Sequence, residues 1–219
     1  MKMAHTVILF GAVTALAAAT EADAQDRMAG SGIRVTKEVG TTPSSGTIEV
    51  VSRGDVSMLT PFSLNAYANL TEANMASLMA SGDSLEIQLG QLAQSKGTSL
   101  DVRSYGATLV RDHTAHLAKT MEIITDEGVG SVAPINNPEG LRMRQMLTHL
   151  RKLPAGAGWD ATFLRFQAEH HQHGIDILTM NIKNAHDDDM EDHIEETLES
   201  YARHRDAARS IGINLGMTF

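Results

Sequence analysis

The sequence predicts an all-α fold, a bundle of four long helices. Apolar residues recur every three or four positions through four separate stretches, the period of a helix with one buried face. Thr71, Ser99 and Asp160 stand as caps at the starts of three of them, and Gly97, Gly128 and Gly212 follow the ends of three. A connection of about 30 residues separates the second stretch from the third, enough to cross from one end of a bundle to the other.

The chain of 219 residues is long enough for one domain with a well-buried core and a tail. Residues 1–24 read as a secretory signal. Lys2 supplies the positive start, Val7 to Ala18 the apolar run, and Ala22-Asp23-Ala24 a small-x-small cleavage site. The run is too short to span a bilayer, so the expected location is the periplasm or another exported compartment. Residues 25–69 are rich in Gly, Ser, Thr and Pro and read as a flexible tail or spacer. Thr47 to Val51 could form a short strand, without an obvious partner.

The bundle is expected over residues 70–213. The first helix starts after Thr71 and ends near Lys96, with Gly97 as the stop. Its inner stripe is Met75, Leu78/Met79, Gly82, Glu86, Leu89 and Leu92/Ala93, so Glu86 places a carboxylate on a face that should be dry. The second helix runs from Ser99 to about Glu127, and His113 interrupts its stripe of Val102, Tyr105, Leu109, Leu117 and Ile124. Asn137-Pro138 opens a short helix in the long connection, ending near Leu153 before Pro154. This single crossover gives the bundle a ferritin-like topology.

The third long helix contains Glu169-His170-His171-Gln172-His173, with Asp160 as its expected N-cap. Leu164, Ala168, His171, Ile175, Leu178 and Ile182 form its inner stripe, which makes His171 the inward histidine; His170 and His173 fall to either side. The last helix follows the acidic run Asp187 to Asp192, which reads as a solvated helix start favoured by the helix dipole. Its stripe is Ile194, Thr197, Tyr201, His204, Ala208 and Ile211, with Gly212 as its stop.

Each long helix thus presents one potential ligand on its apolar face: Glu86, His113, His171 and His204. Three imidazoles and a carboxylate suit a single zinc, iron, manganese or copper ion held between facing helices. An oxo-bridged di-iron centre is not expected, because it needs more carboxylates and two Glu-x-x-His motifs. Asp112, His116, Glu169 and Tyr201 are candidates to orient the ligands. A metal-free, hydrogen-bonded Glu/His core would satisfy the same burial. In that case the chain is a helical interaction module at the cell envelope, reaching a protein partner through its tail.

Other classes of function are disfavoured. A formal net charge of −9 argues against nucleic-acid binding, which needs clustered Lys and Arg. There is no cysteine, which removes thiol catalysis, disulfides and thiolate metal sites. No serine elbow, phosphate-binding loop or His-Glu-x-x-His motif occurs, and nothing nominates a nucleophile. The ten methionines that follow residue 24 fall at helical spacing and read as core filler.

Several stretches resemble the exported bacterial ferritin-like proteins of the DUF4142 family. They are Glu86-Ile-Gln-Leu-Gly-Gln-Leu-Ala93, Val110-Arg-Asp-His113, Trp159-Asp160 with Phe163, Ala168 to Gln172, and Thr197-Leu198 with His204. The resemblance covers roughly Leu70 to Gly212 and implies a four-helix bundle located beyond the inner membrane. It implies no specific function, and its Glu and three His fall on the four stripe positions. His170-His171-Gln172 also resembles a segment of a related exported family associated with copper, although this chain has no dense Met-x-x-Met run.

Overall fold

A computed structural model describes Val56 and residues 58–219; the expected signal, the short strand and most of the expected tail lie outside them. The described residues form five helices: α1 (Glu72–Lys96), α2 (Leu100–Glu122), α3 (Pro138–Lys152), α4 (Ala157–Asn181) and α5 (Asp188–Asn214). None is long and apolar enough to cross a membrane.

Local chemistry sets most boundaries. The Thr71 hydroxyl accepts from the Asn74 N–H while the Asn74 side chain accepts from the Thr71 N–H, closing a reciprocal cap on α1. Asn137 caps α3 in the expected way, accepting from Gly140 N–H, and Asp187, the first residue of the acidic run, caps α5 by accepting from Met190 N–H. Three boundaries differ from the sequence reading. α2 ends at Glu122 and continues as one π turn over Ile123–Glu127, stopped by Gly128 at φ 76°. α5 runs through Gly212 to Asn214, and the chain turns at Gly216 instead, at φ 82°.

The third difference is Asp160. α4 begins three residues earlier, at Ala157, and Asp160 caps a different helix. Its carboxylate accepts from Thr98 N–H at 3.0 Å, Ser99 N–H at 2.9 Å and the Thr98 hydroxyl at 2.6 Å. The starts of α2 and α4 lie side by side, and the free N–H groups before α2 need an acceptor that α2 itself does not supply.

The apolar residues gather into two clusters. One joins the C-terminal half of α1 (Leu89, Ala93) to the start of α2 (Val102, Tyr105), the start of α4 (Trp159, Phe163) and Ala208 near the end of α5. The other joins the start of α1 (Met75, Met79) to the end of α4 (Ile177, Leu178) and the start of α5 (Met190, Ile194). α1 and α5 therefore run one way and α2 and α4 the other. The link through α3 carries the chain back along the bundle, from Asn137 beside Tyr67 to Leu150, whose carbonyl accepts from the Trp159 indole. This is the ferritin-like arrangement of two hairpins and one crossover.

The α1–α2 hairpin is held close by paired glycines. A Cβ on Gly90 would stand 2.7 Å from the Gly106 carbonyl, and a Cβ on Gly106 would stand 2.7 Å from the Gly90 carbonyl. Residues 58–69, expected to belong to the tail, instead pack as a strap. Leu59 and Tyr67 are buried, and Thr60 N–H donates to the Gln145 side chain on α3. Apolar Leu59, Phe62, Tyr67 and Leu70 give this short segment enough surface to bury.

Candidate metal centre

Between the two apolar clusters lies a belt of buried polar side chains: Asp83 and Glu86 on α1, His113 on α2, Gln167, His170 and His171 on α4, and His204 on α5. The inward faces of all four long helices meet here. His113, His171 and His204, at 0%, 0% and 2% exposure, each offer a ligand atom, and these three atoms lie within 4.8 Å of one another.

In each ring one nitrogen is anchored. His113 Nδ1 lies 2.8 Å from Asp83 Oδ1, His171 Nδ1 lies 2.8 Å from the Gln167 carbonyl, and His204 Nε2 lies 2.9 Å from Asp112 Oδ2. A carbonyl only accepts, so His171 carries its proton on Nδ1 and a lone pair on Nε2. The Asp112 carboxyl is drawn up by burial but held below its usual range by the Arg111 and His204 hydrogen bonds, so it too accepts. The neutral His204 ring then has its proton on Nε2 and a lone pair on Nδ1. These two bare nitrogens face each other at 3.2 Å.

Burial pushes His113 and His171 well below the ordinary imidazole range and lowers His204, so an extra proton to bridge the gap is disfavoured. His113 Nε2 is buried with no hydrogen-bond partner among the described residues. With the proton of the Asp83–His113 pair on Nδ1, a third lone pair joins the other two. The anchoring contacts are the kind that fix ring orientation at metal sites.

The remaining sequence candidates fall around this cluster. Asp112 orients His204, as just described. His116 is half-buried beside His113, with Nδ1 lacking a partner, and belongs to a second donor trio with Asp83 and His113. Tyr201 packs its ring against His113 and His171, at 5.9 and 5.3 Å between centroids. Gly174 makes room for that ring, since a Cβ there would stand 2.6 Å from Tyr201 Cε2.

Glu86 does not join the three imidazoles in a mutual group. Its Oε2 accepts from the Gln167 amide at 2.9 Å, and its Oε1 lies 3.5 Å from His170 Nε2. Burial raises its pKa above the usual carboxylate range, an effect opposed by His170 and Gln167. His170, placed on a flank by the stripe, is buried because α3 covers that side of α4. Glu139 of α3 accepts from His170 Nδ1 at 2.8 Å and from His173 Nδ1 at 2.9 Å. Burial would raise Glu139, but those two imidazoles hold it down at about 2. Glu169 lies on the outer edge of this second network, accepting from Arg142.

Sequence reasoning missed Asp83, Glu139 and the Gln167 carbonyl. Asp83 had a signal: Met75, Met79, Asp83, Glu86, Gly90 and Ala93 keep steps of four, four, three, four and three, a better helical stripe than one through Gly82. Asp83 is buried at that position and its carboxyl is pushed well up by burial and by Glu86.

Fold and site together define a class, a ferritin-like helical bundle with a buried imidazole cluster at mid-height. The chain belongs to the family described as "Domain of unknown function (DUF4142)", whose model matches residues 59–211. A solved structure described as "CopM in the Cu(I)-bound form" is similar, with a TM-score of 0.52 and 15% identity over 67% of this chain and 98% of that one. At that identity the likeness is one of fold. No curated protein matches the chain.

Proposed function

We propose that this protein binds one transition-metal ion through His113, His171 and His204, and that it serves in metal handling or stress protection as an exported protein of the cell envelope. The observation that carries the reading is the approach of His171 Nε2 and His204 Nδ1 to 3.2 Å in the buried core, while the other nitrogen of each ring faces an acceptor. Two imidazole nitrogens on a tetrahedral ion, each at ~2.0–2.1 Å, stand about 3.3 Å apart. The spacing therefore suits two ligands of one ion, and because the other nitrogen of each ring already faces an acceptor, no proton is left to bridge them without charging a ring.

Asp83, Asp112 and the Gln167 carbonyl hold the rings by their other nitrogens and make them better donors. A fourth coordination position stays available for a water or an exchanging ligand. Three neutral imidazoles without a thiolate favour zinc or copper over manganese or iron, which prefer more oxygen. The Cu(I) named for the similar structure makes copper, with zinc, the first ion to test. Glu86 acts one residue removed, through the Gln167 side chain.

A second reading, a metal-free interaction module whose polar core fixes helix register, draws on the other network. There Glu139 already satisfies His170 and His173 without an ion.

The test is elemental analysis and zinc and copper titration of the untagged protein beside a His113→Ala, His171→Ala variant. Near-stoichiometric metal in the parent and none in the variant is expected. Equal metal content and affinity in both would refute the reading.

A further inference from the structure

The imidazole cluster is fully enclosed, so an ion needs a route to it. Unpartnered buried polar atoms are rare in folded proteins and costly to keep. Among the described residues, three of them lie on α2 and on the α5 face that meets it: His116 Nδ1, the Thr197 hydroxyl and the Ser200 hydroxyl. His193, Thr197, Ser200 and His204 follow one another on α5 at steps of four, three and four, which is one face of the helix. Both ends of that face meet α2. His193 Nε2 lies 2.9 Å from the Thr120 hydroxyl, and His204 Nε2 lies 2.9 Å from Asp112.

Across this seam the imidazoles stand edge to face, His193 to His116 at 6.0 Å and His116 to His113 at 5.8 Å between centroids. At its inner end Asp83, His113 and His116 place ligand atoms within 4.8 Å of one another, and Asp83 Oδ2 and His113 Nε2 also lack partners. This trio shares His113 with the cluster of His113, His171 and His204. His116 is its partly exposed member, the other two being buried. Asp112, with a side chain 23% exposed, is less available, because one oxygen accepts from Arg111 and the other from His204.

We infer that the α2–α5 seam is the path of the metal ion, with His116 and Asp83 forming an outer loading position that passes the ion across His113 to the buried cluster. The inference rests on the metal-binding reading above. A bare ion moving into a dry core loses its water shell at high cost unless ligands replace it stepwise. An outer pair sharing one ligand with the inner set supplies that exchange. His116 belongs to the transfer and is absent from the resting ligand set, so it governs rate and leaves equilibrium alone.

The experiment follows cobalt(II) and zinc uptake and release by the full chain in stopped flow, with equilibrium affinity measured in parallel. His116→Leu removes Nδ1 while filling its space, and His116→Gln provides a second variant should the first fold poorly. Thr197→Val serves as a seam control without an imidazole, and His204→Ala as a loss of the resting site. Losing one contact at the barrier should slow uptake and release in the His116 variants by at least about tenfold, with affinity unchanged. Parent-like rates in folded His116 variants, with uptake that still needs His204, would overturn the route and leave the metal site standing. A loss of affinity equal to that of His204→Ala would overturn it too, making His116 a resting ligand. Absence of any uptake by the parent would remove both readings.

Discussion

A single substitution separates a metal site from a structural polar core by the sign of its effect. In the metal-free protein the His171 and His204 lone pairs oppose each other at 3.2 Å, and neither nitrogen has a compensating donor. An unsatisfied buried polar atom costs about 1–3 kcal/mol, and His171→Leu removes one such atom and its repulsion of His204 Nδ1, which stays without a donor. The variant forfeits the bond from Nδ1 to the Gln167 carbonyl, a loss of about 1 kcal/mol. The metal-free variant should therefore be more stable than the metal-free parent by about 1 kcal/mol, or about 2–4 °C in Tm for a domain of this size. Adding zinc or copper at about 100 times Kd should reverse the order, stabilising the parent by about 2.7 kcal/mol and the variant not at all. Thermal melts followed by circular dichroism, with and without chelator, read both effects. Should the chelated variant lose about 2 kcal/mol or more, the histidine belongs to a structural hydrogen-bond network and the lone-pair reasoning is wrong.

Two further outcomes follow from the surrounding contacts. Glu139 sits at about 2 in the folded protein against an ordinary 4.5, so its contribution is complete above pH 4.5 and disappears as pH falls toward 2. That shift corresponds to something on the order of 3 kcal/mol, and Glu139→Gln should lose this amount at neutral pH and flatten the acid limb of a stability–pH curve. Asp160→Ala removes three hydrogen bonds from the start of α2 and should cost about 2–4 kcal/mol in urea unfolding. An effect below about 1 kcal/mol would mean water replaces that carboxylate.

Much of the fold was legible because its signals are local. Thr71, Asn137 and Asp187 satisfy N–H groups two or three residues away, so the sequence around each cap contains the whole interaction. The inward positions of His113, His171 and His204 were legible for a related reason. Each interrupts an otherwise apolar stripe, and all three are buried. The long connection implied a crossover from its length alone, and α3 fills it.

The partners of those histidines were not legible in the same way. A helix turns about 100° per residue, so the choice between Asp83 and Glu86 as the residue nearest His113 depends on how α1 is rotated against α2. That rotation is fixed where Gly90 and Gly106 let the two backbones touch, a contact between residues on different helices. In the same way α3 decides the burial of His170, and the adjacent starts of α2 and α4 decide which helix Asp160 caps.

The sequence by itself determined the helices, their order and the inward stripes that carry His113, His171 and His204, because capping and periodicity act within a few residues. The tertiary structure decided which nitrogen of each imidazole is anchored and which is left bare. Those partners come from other helices or from the backbone, and only packing brings the bare atoms together at one point.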